Sequence, residues 1–399
     1  SSAASDVYKR QSSQKSKAEN FITKFAKYYT PIVVCIALAL AIIPSIITKE
    51  WSVWIYRALS FLVVSCPCAL VISIPLSFFA GIGASSRYGI LIKGSNYLEK
   101  LNKANIFVFD KTGTLTKGNF VVTKITPIER KEEIISLAAI AEQNSNHPIA
   151  KSIVRNAKNV ETKKVENYEE ITGKGIKYNI DEKTVLVGNS SLVGKEDEIA
   201  ESTKIYLKID EELVGAILLK DEAKHGTKEA IQALNSRGIV TKMFTGDNKK
   251  AAKQIAEELG ISEFEAEMLP DQKYSELEKE LEKYKGTNGK VAFVGDGIND
   301  APVLALSDIG IAMGGLGSDA AIEAADIVIM TDEPSKVNKA IKISKKTMRI
   351  VKQNIIFAIS IKALVLILSA VGITTMWEAV FADVGVSVIA VLNAFRILK

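Results

Sequence analysis

The sequence contains few of the residues that build disulfide frameworks or imidazole metal sites, with three cysteines and two histidines among 399 residues. All three cysteines lie in apolar runs, so they do not form the spaced pattern of a small secreted disulfide domain. The net charge of +5 is modest and no stripe of basic and aromatic residues occurs, which argues against a nucleic-acid partner. The Walker pattern G-x-x-x-x-G-K-[ST] is missing as well, which excludes a P-loop ATPase.

The first eleven residues, SSAASDVYKRQ, do not begin with methionine and have no apolar periodicity. Their DVYKRQ portion matches one translation of a common sequencing-library adapter. We therefore expect residues 1–11 to be a leader that is foreign to the gene, and the gene to be interrupted just upstream of residue 12.

Long apolar runs lie near both ends of the chain, while the charged residues fill its middle. A helix needs roughly 17–25 apolar residues to cross a bilayer, and this length predicts four spans, at about 31–48, 54–81, 354–373 and 375–397. Lysines and arginines lie before the first span, on both sides of the middle region, and after the fourth span. The positive-inside rule therefore places both chain ends and the middle region in the cytoplasm. We expect a multi-pass protein of the lipid bilayer.

The middle of the chain alternates buried strands with helices, and three of the strands end in acidic stretches. These are NIFVFD ending at Asp110, VTKMFTGD ending at Asp247 and KVAFVGDGIND running to Asp300. A helical pattern follows the second strand, with Asn248 as its N-cap. Alternation of this kind predicts an α/β fold with a parallel sheet.

The periodicity also predicts the domain boundaries. Between 121 and 215 a helix precedes short strands, which predicts an inserted α+β domain. The α/β domain then consists of two segments, and a membrane hairpin with a cytoplasmic stalk lies on either side of it. These regions are 12–105 for the first hairpin, 106–120 and 216–333 for the α/β domain, and 334–399 for the second hairpin.

Asp110 opens the stretch DKTGTLT, directly after the first of the three strands. An aspartate at the carboxyl end of a parallel strand faces the crevice in which open α/β sheets bind their ligands. The glycine-containing turn after it can point N–H groups at an anion. Such a carboxylate can attack a phosphoryl group and become an aspartyl phosphate. Taken alone, the stretch could also be a helix-capping turn.

Further motifs are expected at the same edge of the sheet. The second strand ends in the TGD motif, which consists of Thr245, Gly246 and Asp247. Its threonine hydroxyl and its backbone N–H groups could bind phosphoryl oxygens. Lys273, in PDQK, can neutralise phosphate charge. Asp296 and Asp300, in GDGIND, are hard oxygen ligands of the kind that Mg²⁺ prefers together with phosphate oxygens.

Together these motifs resemble the P-type ATPases, a family within the haloacid-dehalogenase-like superfamily. DKTGTLT is similar to their phosphorylation sequence, and TGD and GDGINDAP are similar to their hinge motifs. The resemblance extends from about Lys15 to Lys399. It implies an α-helical transmembrane bundle with a haloacid-dehalogenase-like (Rossmannoid) phosphorylation domain and an inserted nucleotide-binding domain. Asp110 would be the phosphorylated nucleophile, with Mg²⁺ as cofactor and ATP as substrate.

Thr112 distinguishes a pump from a phosphatase of the same superfamily. Such phosphatases usually carry a second aspartate, as an acid/base, two positions after the nucleophile, and here that position is Thr112. Without this group the aspartyl phosphate should hydrolyse slowly, which favours transport over simple hydrolysis. The resemblance also places Thr112 among the contacts to Mg²⁺ and ATP. A membrane-anchored phosphatase is the alternative.

The inserted domain resembles the heavy-metal-transporting class in two places. SNHPIA is similar to the His–Pro motif of that class, which implies that His147, after Glu142, orients the adenine nucleotide. GKG, with Gly173 and Gly175, is similar to the glycine motif that lets the backbone approach ATP. Gly188 could line the same pocket.

The stretch SCPC interrupts the second predicted span with a proline between Cys66 and Cys68. Pro67 removes a helical hydrogen bond, and lipid tolerates an unpaired backbone group only where protein or a cavity supplies partners. The unwound turn can aim both sulfurs into one site, and thiolates select soft or borderline ions such as Cu⁺, Zn²⁺ and Cd²⁺. The alternative is a packing kink with two inert thiols.

Lys362 and Asp383 lie within the last two spans, where ionisable residues are functional candidates. A carboxylate beside two thiolates suits a divalent ion better than Cu⁺, and Lys362 could pair with Asp383 when the site is empty. Copper pumps of the family carry Tyr–Asn in the penultimate span and Met and Ser in the last, and this sequence has neither at the matching positions. It resembles the branch that exports Zn²⁺, Cd²⁺ or Pb²⁺, with a Cu⁺ pump as the alternative.

The family also has an actuator domain with a Thr-Gly-Glu motif, and no TGE occurs in this sequence. Upstream membrane helices and a Cys-x-x-Cys metal-binding domain are missing too. We therefore expect the C-terminal part of a pump, which binds ATP but does not complete a transport cycle. A non-catalytic metal-sensing fragment is a further alternative.

Overall fold

The computed structural model describes residues 17–143, 145, 148–157, 165–171, 174–194, 203–297, 300–314, 319–371, 373 and 375–399. The predicted leader at 1–11 and two of the predicted nucleotide contacts, His147 and Gly173, lie outside these residues.

Long apolar helices lie at both ends of the chain, and shorter ones accompany the strands between them. In chain order the described helices are α1 Lys17–Thr48, α2 Trp51–Val64, α3 Cys68–Ser86, α4 Ser95–Asn102, α5 Lys131–Glu142, α6 Pro148–Asn156, α7 Ser190–Val193, α8 Thr227–Asn235, α9 Lys249–Leu259, α10 Pro270–Tyr284, α11 Ala301–Leu306, α12 Asp319–Ala324, α13 Ser335–Val371 and α14 Met376–Phe395. The described strands are β1 Ile90–Ile92, β2 Ala104–Asp110, β3 Thr116–Thr126, β4 Glu166–Ile171, β5 Gly175–Ile180, β6 Lys183–Gly188, β7 Thr203–Ile209, β8 Glu212–Ala223, β9 Val240–Phe244, β10 Glu263–Glu265, β11 Lys290–Gly295, β12 Ile309–Met313 and β13 Ile327–Ile329.

One sheet has seven strands in the order β1-β13-β12-β11-β2-β9-β10. Its neighbouring strands are parallel, except that β1 runs antiparallel to β13. In β2, Phe107 and Phe109 enter the core on one face of the sheet, while Ile106 and Val108 enter the core on the other. A strand that is buried on both faces has the continuous apolar sequence seen here. The predicted α/β fold is confirmed.

The strands β2, β9 and β11 lie side by side in this sheet. Because they are parallel, their carboxyl ends meet at one edge, and so do the acidic motifs that follow them. The predicted N-cap after β9 is also present, since the Asn248 side chain accepts a hydrogen bond from the N–H of Ala251 at 2.9 Å. The helix α9 therefore begins where the sequence pattern places it.

A second sheet has six antiparallel strands in the order β3-β8-β7-β6-β5-β4. With α5 and α6 it encloses a core that includes Ile134, Ile153 and Tyr178. This is the predicted α+β insertion, but the predicted boundaries at 120/121 and 215/216 fall inside β3 and β8. Because these two strands pair as far as Thr116 and Ala223, we propose that the inserted domain extends over 116–223.

Among the described residues, four helical stretches are long and apolar enough to cross a membrane: Lys27–Thr48, Trp51–Ser86, Ser335–Ser369 and Trp377–Phe395. The second of them is broken, because α2 ends before the SCPC motif and α3 begins at Cys68. In the break, the Ser65 hydroxyl donates to the carbonyl of Phe61 at 2.5 Å. The helix interruption predicted at Pro67 is confirmed, and protein groups supply hydrogen-bond partners there.

The helix α13 has 37 residues and runs from the α/β domain into the membrane. Near its start, the Asn338 amide donates to the carbonyl of Ala230 in α8 at 2.8 Å. Two turns later, the Ser344 hydroxyl donates to the carbonyl of Leu98 in α4 at 2.5 Å. These buried contacts fix α13 to α8 of the α/β domain and to α4 of the first stalk, so the same helix joins that domain to the membrane segment that carries Lys362.

Candidate active site and membrane ion site

Three carboxylates meet at the carboxyl edge of the seven-stranded sheet. Asp110 ends β2, Asp296 follows β11, and Asp300 directly precedes α11. One oxygen atom from each lies within 4.8 Å of the oxygen atoms from the other two. Asp110 and Asp300 are buried and Asp296 is half-buried. The structure thus brings together residues that are up to 190 positions apart in the sequence.

Lys273, in the first turn of α10, is the cation next to these carboxylates. Its ammonium group donates to Oδ1 of Asp110 at 2.5 Å and to Oδ1 of Asp300 at 3.2 Å. Burial opposes the charged form of Lys273, but the two carboxylates raise its pKa above the usual value. The side chain is therefore protonated at neutral pH and can offset negative charge on a phosphoryl group beside Asp110.

This single cation does not balance three carboxylates. Burial, followed by Asp300, raises the pKa of Asp110 to about 7, even though Lys273 lowers it. Burial, again followed by Asp300, raises the pKa of Asp296 to about 6. A divalent cation between the oxygens would supply the missing positive charge and favour the ionised carboxylates. Hard oxygen donors at this spacing fit Mg²⁺.

The turn that follows β2 approaches the carboxylates closely. Gly113 has a φ of 73°, and a Cβ atom there would lie 1.8 Å from Oδ2 of Asp296. The position requires glycine, both for the left-handed backbone and for the lack of space. The Lys224 ammonium donates to the carbonyl of Gly113 and pairs with Asp332 at 2.8 Å, which holds the turn in place.

A second charged group, which the motifs do not indicate, lies behind the same turn. Buried Lys111 pairs with Asp247, and its ammonium nitrogen lies 3.9 Å from Oδ2 of Asp221. That oxygen accepts a hydrogen bond from the Thr116 hydroxyl at 2.5 Å, and burial raises the pKa of Asp221. Because Lys111 directly follows Asp110, these contacts anchor the end of β2 to β8 and β9.

The residues of the TGD motif lie after β9, but they differ in accessibility. Thr245 is buried, and its hydroxyl accepts a hydrogen bond from the N–H of Asp247 at 3.1 Å. The Asp247 carboxylate is paired with Lys111. Gly246 is exposed, and so is Thr112 in the turn after β2. The backbone of Gly246 is therefore the part of the motif that is open to a phosphoryl group.

The structure describes three of the nucleotide contacts that are predicted in the inserted domain, Glu142, Gly175 and Gly188. The two glycines pair with each other across β5 and β6. A Cβ atom on Gly188 would lie 2.2 Å from the carbonyl oxygen of Lys174, so the close backbone approach at this point is between strands. Glu142 is half-buried at the end of α5. The part of these residues in binding ATP stays a prediction.

Glu142 leads to a prediction for the pH dependence of the inserted domain. Burial, followed by nearby Glu170, raises its pKa to about 7. The folded domain therefore keeps a proton that the unfolded chain loses near pH 4.5, and its stability should fall as the pH rises between these values. We expect a loss of about 2 kcal/mol from pH 5 to pH 8, because one pKa unit is worth about 1.4 kcal/mol and partial exposure reduces the shift.

Hydrogen exchange of α5 in the intact chain measures this loss. The variant Glu142→Gln, which resembles the protonated acid, should be more protected than the wild-type protein at pH 8 and should show little change with pH. If the variant keeps the wild-type pH dependence, another group causes it.

In the membrane region, Lys362 and Asp383 form the predicted ion pair, with 2.7 Å between Nζ and Oδ1. The Lys362 ammonium also donates to the carbonyl of Cys66, in the helix break. The sequence predicts two thiols in this motif, but the structure joins Cys66 and Cys68 in a disulfide. The break at Pro67 turns both sulfurs to the same side, which brings them together. Metal binding by these sulfurs therefore requires the reduced pair.

A cavity of about 240 Å³ lies between the membrane helices at this point. Lys362 and Asp383 provide its charged groups, and Pro67 lines it from the helix break. The helix α1 adds Tyr29, a residue that the sequence motifs do not single out. Most of the other lining side chains are apolar, so the charged pair is the polar centre of an otherwise apolar space.

Known proteins of similar sequence are named as metal-transporting ATPases. The family model of the haloacid dehalogenase-like hydrolases matches residues 104–308. The chain is 53% identical to the cadmium, zinc and cobalt-transporting ATPase of Bacillus subtilis (strain 168), with 99% of this chain and 58% of that protein covered. It is 48% identical to the zinc-transporting ATPase of Synechocystis sp. (strain ATCC 27184 / PCC 6803 / Kazusa), with 99% and 56% covered. The chain thus spans somewhat more than half the length of these relatives.

Solved structures show the same similarity. A zinc-transporting PIB-type ATPase in its E2.Pi state has a TM-score of 0.83 and 35% identity, over 96% of this chain and 66% of that chain. The catalytic domain of a CPx-ATPase has a TM-score of 0.54 and 31% identity, over 65% of this chain and 98% of that chain. The chain therefore belongs to the haloacid dehalogenase-like hydrolases and, within them, to the P-type ATPases.

Proposed function

We propose that this chain is the part of an ATP-driven pump that is phosphorylated by ATP at Asp110 and that holds the site of a soft divalent metal ion exported across a membrane. The α/β domain would be the phosphorylation domain, and the inserted domain would bind the nucleotide. The observation that carries the proposal is that one chain contains two charged centres with little exposure to solvent, Asp110 with Lys273 and Lys362 with Asp383. The helix α13 is hydrogen-bonded to α8 of the domain that carries the first centre, and it supplies Lys362 to the second.

In the proposed reaction, a carboxylate oxygen of Asp110 attacks the γ-phosphorus of ATP. The new bond joins that oxygen to phosphorus, while the bond from phosphorus to the β–γ bridging oxygen breaks and ADP leaves with its electron pair. Lys273 offsets charge on the transferred group, and the backbone of Gly246 can donate to its oxygens. When bound by Asp110, Asp296 and Asp300, Mg²⁺ would supply further charge neutralisation.

Thr112 favours a pump over a phosphatase. The turn after Asp110 offers a hydroxyl, not a carboxylate, at the position where an acid/base would activate water. An aspartyl phosphate formed there should persist, and a persistent intermediate can be coupled to a change of conformation. The buried contacts of α13 with the α/β domain provide a route by which such a change could reach the membrane helices.

The transported ion is proposed to bind between the reduced sulfurs of Cys66 and Cys68 and the carboxylate of Asp383. Two thiolates with one carboxylate suit borderline and soft divalent ions such as Zn²⁺, Cd²⁺ and Pb²⁺, and the carboxylate disfavours Cu⁺. The names of the relatives, which include zinc and cadmium, support this choice. Lys362 competes with the ion for Asp383, so its ammonium group would displace the ion on release.

The metal site is tested by titrating the purified chain with Zn²⁺ in detergent before and after reduction by a phosphine. We expect one Zn²⁺ per chain in the reduced protein and binding at least about 100-fold weaker in the oxidised protein, because the paired sulfurs are not thiolates. The variant Cys35→Ser removes an exposed cysteine from the same chain and should bind as the wild-type protein does. Equal binding by the oxidised and reduced forms would contradict the proposed ligands.

A further inference from the structure

A basic cavity lies away from both charged centres, where the end of α3, the first half of α13 and the last residues of the chain meet. Its volume is about 350 Å³. Five of the lining side chains are cations, and none of the lining side chains is acidic. The cations are Arg87, Lys339, Lys342, Lys346 and Lys399. A cavity with this charge is suited to an anionic ligand.

The cations of this basic cavity are not neutralised by the protein. Within the part of the chain that the structure describes, none of the five pairs with a carboxylate side chain. Lys339 instead lies over the ring of Tyr88, 3.8 Å from its centroid, and Arg87 donates to the carbonyl of Leu398 at 3.4 Å. Neutral groups therefore position these cations without compensating their charge, which leaves the charge available to an anionic ligand.

The cations on α13 share one face of the helix. Lys339, Lys342 and Lys346 are spaced by three and four residues, which puts their side chains in a row. Ile343, between them, is buried against Ile397 and the helix α3. The floor of the basic cavity is therefore apolar and its rim is cationic. A ligand with both an anionic group and an apolar chain matches this lining better than free phosphate does.

The basic cavity adjoins the cytoplasmic edge of the lipid headgroup layer. Lys346 precedes Lys362 by sixteen residues, which is about 24 Å along a helix. Lys362 is near the centre of its apolar span, and the hydrocarbon core extends only about 15 Å from the midplane. The headgroups extend to about 20–22 Å from the midplane, so Lys346 lies at their outer edge, where a long lysine side chain can reach the phosphates. Phe395, the last residue of the fourth span, directly precedes the chain segment that contributes Ile397 to the basic cavity.

We propose that this basic cavity binds the headgroup of an anionic phospholipid from the cytoplasmic leaflet. The phosphate would lie among the lysines and Arg87, and the start of an acyl chain would lie along the apolar floor. Such a lipid would bridge α3, which begins at the Cys-Pro-Cys motif, and α13, which carries Lys362. The inference concerns binding alone and does not depend on the proposed transport activity.

Native mass spectrometry of the full chain in an uncharged detergent tests this site, with phosphatidylglycerol and phosphatidylcholine of equal chain length as probes. We expect the double variant Lys342→Gln/Lys346→Gln to bind phosphatidylglycerol about 30-fold more weakly than the wild-type protein, because a cation near an anionic headgroup contributes about fivefold. The matched control is Lys345→Gln/Arg349→Gln, which removes two exposed cations from the same helix outside the basic cavity. The control should bind as the wild-type protein does, and Lys342→Arg/Lys346→Arg should retain binding.

Three outcomes would overturn the proposal. Equal loss of binding in the control would show general attraction to a basic surface, and no loss in Lys342→Gln/Lys346→Gln would show that the lipid binds elsewhere. Displacement of the lipid by an equal concentration of inorganic phosphate would assign the site to a free phosphate. A clear preference for phosphatidylglycerol over phosphatidylcholine, lost in the first variant only and resistant to phosphate, is the supporting result.

Discussion

Replacing Asp110 with asparagine should abolish transfer of phosphate from ATP to this chain. The amide is nearly the same size as the carboxylate but is a poor nucleophile, and removal of a catalytic nucleophile costs at least about 10⁴-fold in rate. The measurement is acid-stable radiolabel from γ-labelled ATP, in the presence of Mg²⁺ and Zn²⁺, after denaturation of the protein. Hydroxylamine should release the label from the wild-type protein, because it cleaves acyl phosphates.

The control for this experiment is Asp271→Asn. Asp271 is an exposed carboxylate in the first turn of α10, two residues before Lys273, and it makes no contact with Asp110 in the structure. Its variant should be labelled as strongly as the wild-type protein. If the Asp110→Asn variant is still labelled, another residue is the nucleophile and the proposed chemistry is wrong.

Replacing Asp383 with asparagine should remove metal binding in the membrane. The change takes away the one carboxylate that the structure places at Lys362, and it leaves the lysine charge without its partner, so that it repels an incoming cation. We expect Zn²⁺ affinity of the reduced chain to fall by more than about 100-fold, since even the loss of a group that supports a metal ligand costs 10–100-fold. Titration of the purified chain with Zn²⁺ measures the change.

Glu378→Gln is the matched control, because Glu378 is the other acidic residue in α14. It is exposed in the first turn, where it accepts a hydrogen bond from the N–H of Thr375 at 2.8 Å. Glutamine also forms such a capping box, so this variant should fold and bind Zn²⁺ as the wild-type protein does. Asp383→Glu, which keeps the charge, should retain part of the affinity. If Asp383→Asn binds Zn²⁺ normally, the carboxylate is not a ligand.

The meeting of Asp110, Asp296 and Asp300 could be predicted because a parallel sheet brings the carboxyl ends of its strands to one edge. The direction of the strands gives the shared edge, and the short distances between the carboxylates also require that β2 and β11 be neighbours. The pairing of Lys362 with Asp383 followed in the same way from the cost of an unpaired charge in lipid. In both cases a general rule, the geometry of parallel sheets or the cost of a charge in lipid, was enough to predict which residues meet.

The contacts of Lys111 could not be predicted, because they join residues that are far apart in sequence. Lys111 and Asp247 are separated by 136 positions, and no motif gives the distance between the two turns. Periodicity placed the domain boundary at 120/121, inside β3, because half-buried and exposed residues alternate there from Lys117 to Val122. A strand with that pattern resembles a connecting segment until its pairing with β8 is known.

The disulfide between Cys66 and Cys68 shows the limit of reading chemistry from spacing. The proline between the cysteines predicts that both sulfurs face the same side, and they do. Whether the two sulfurs bind a metal ion or form a disulfide depends on the redox potential of the compartment. The sequence indicates the place of the sulfurs but not their oxidation state.

The most direct test of the account is to identify the residue that carries the phosphate. Borohydride reduces an aspartyl phosphate to homoserine, so the phosphorylated chain can be reduced, digested and sequenced by mass spectrometry. The account predicts homoserine at position 110, in the peptide that contains DKTGTLT, and only after incubation with ATP. Homoserine at another aspartate, or a phosphorylated serine or threonine in its place, would contradict it.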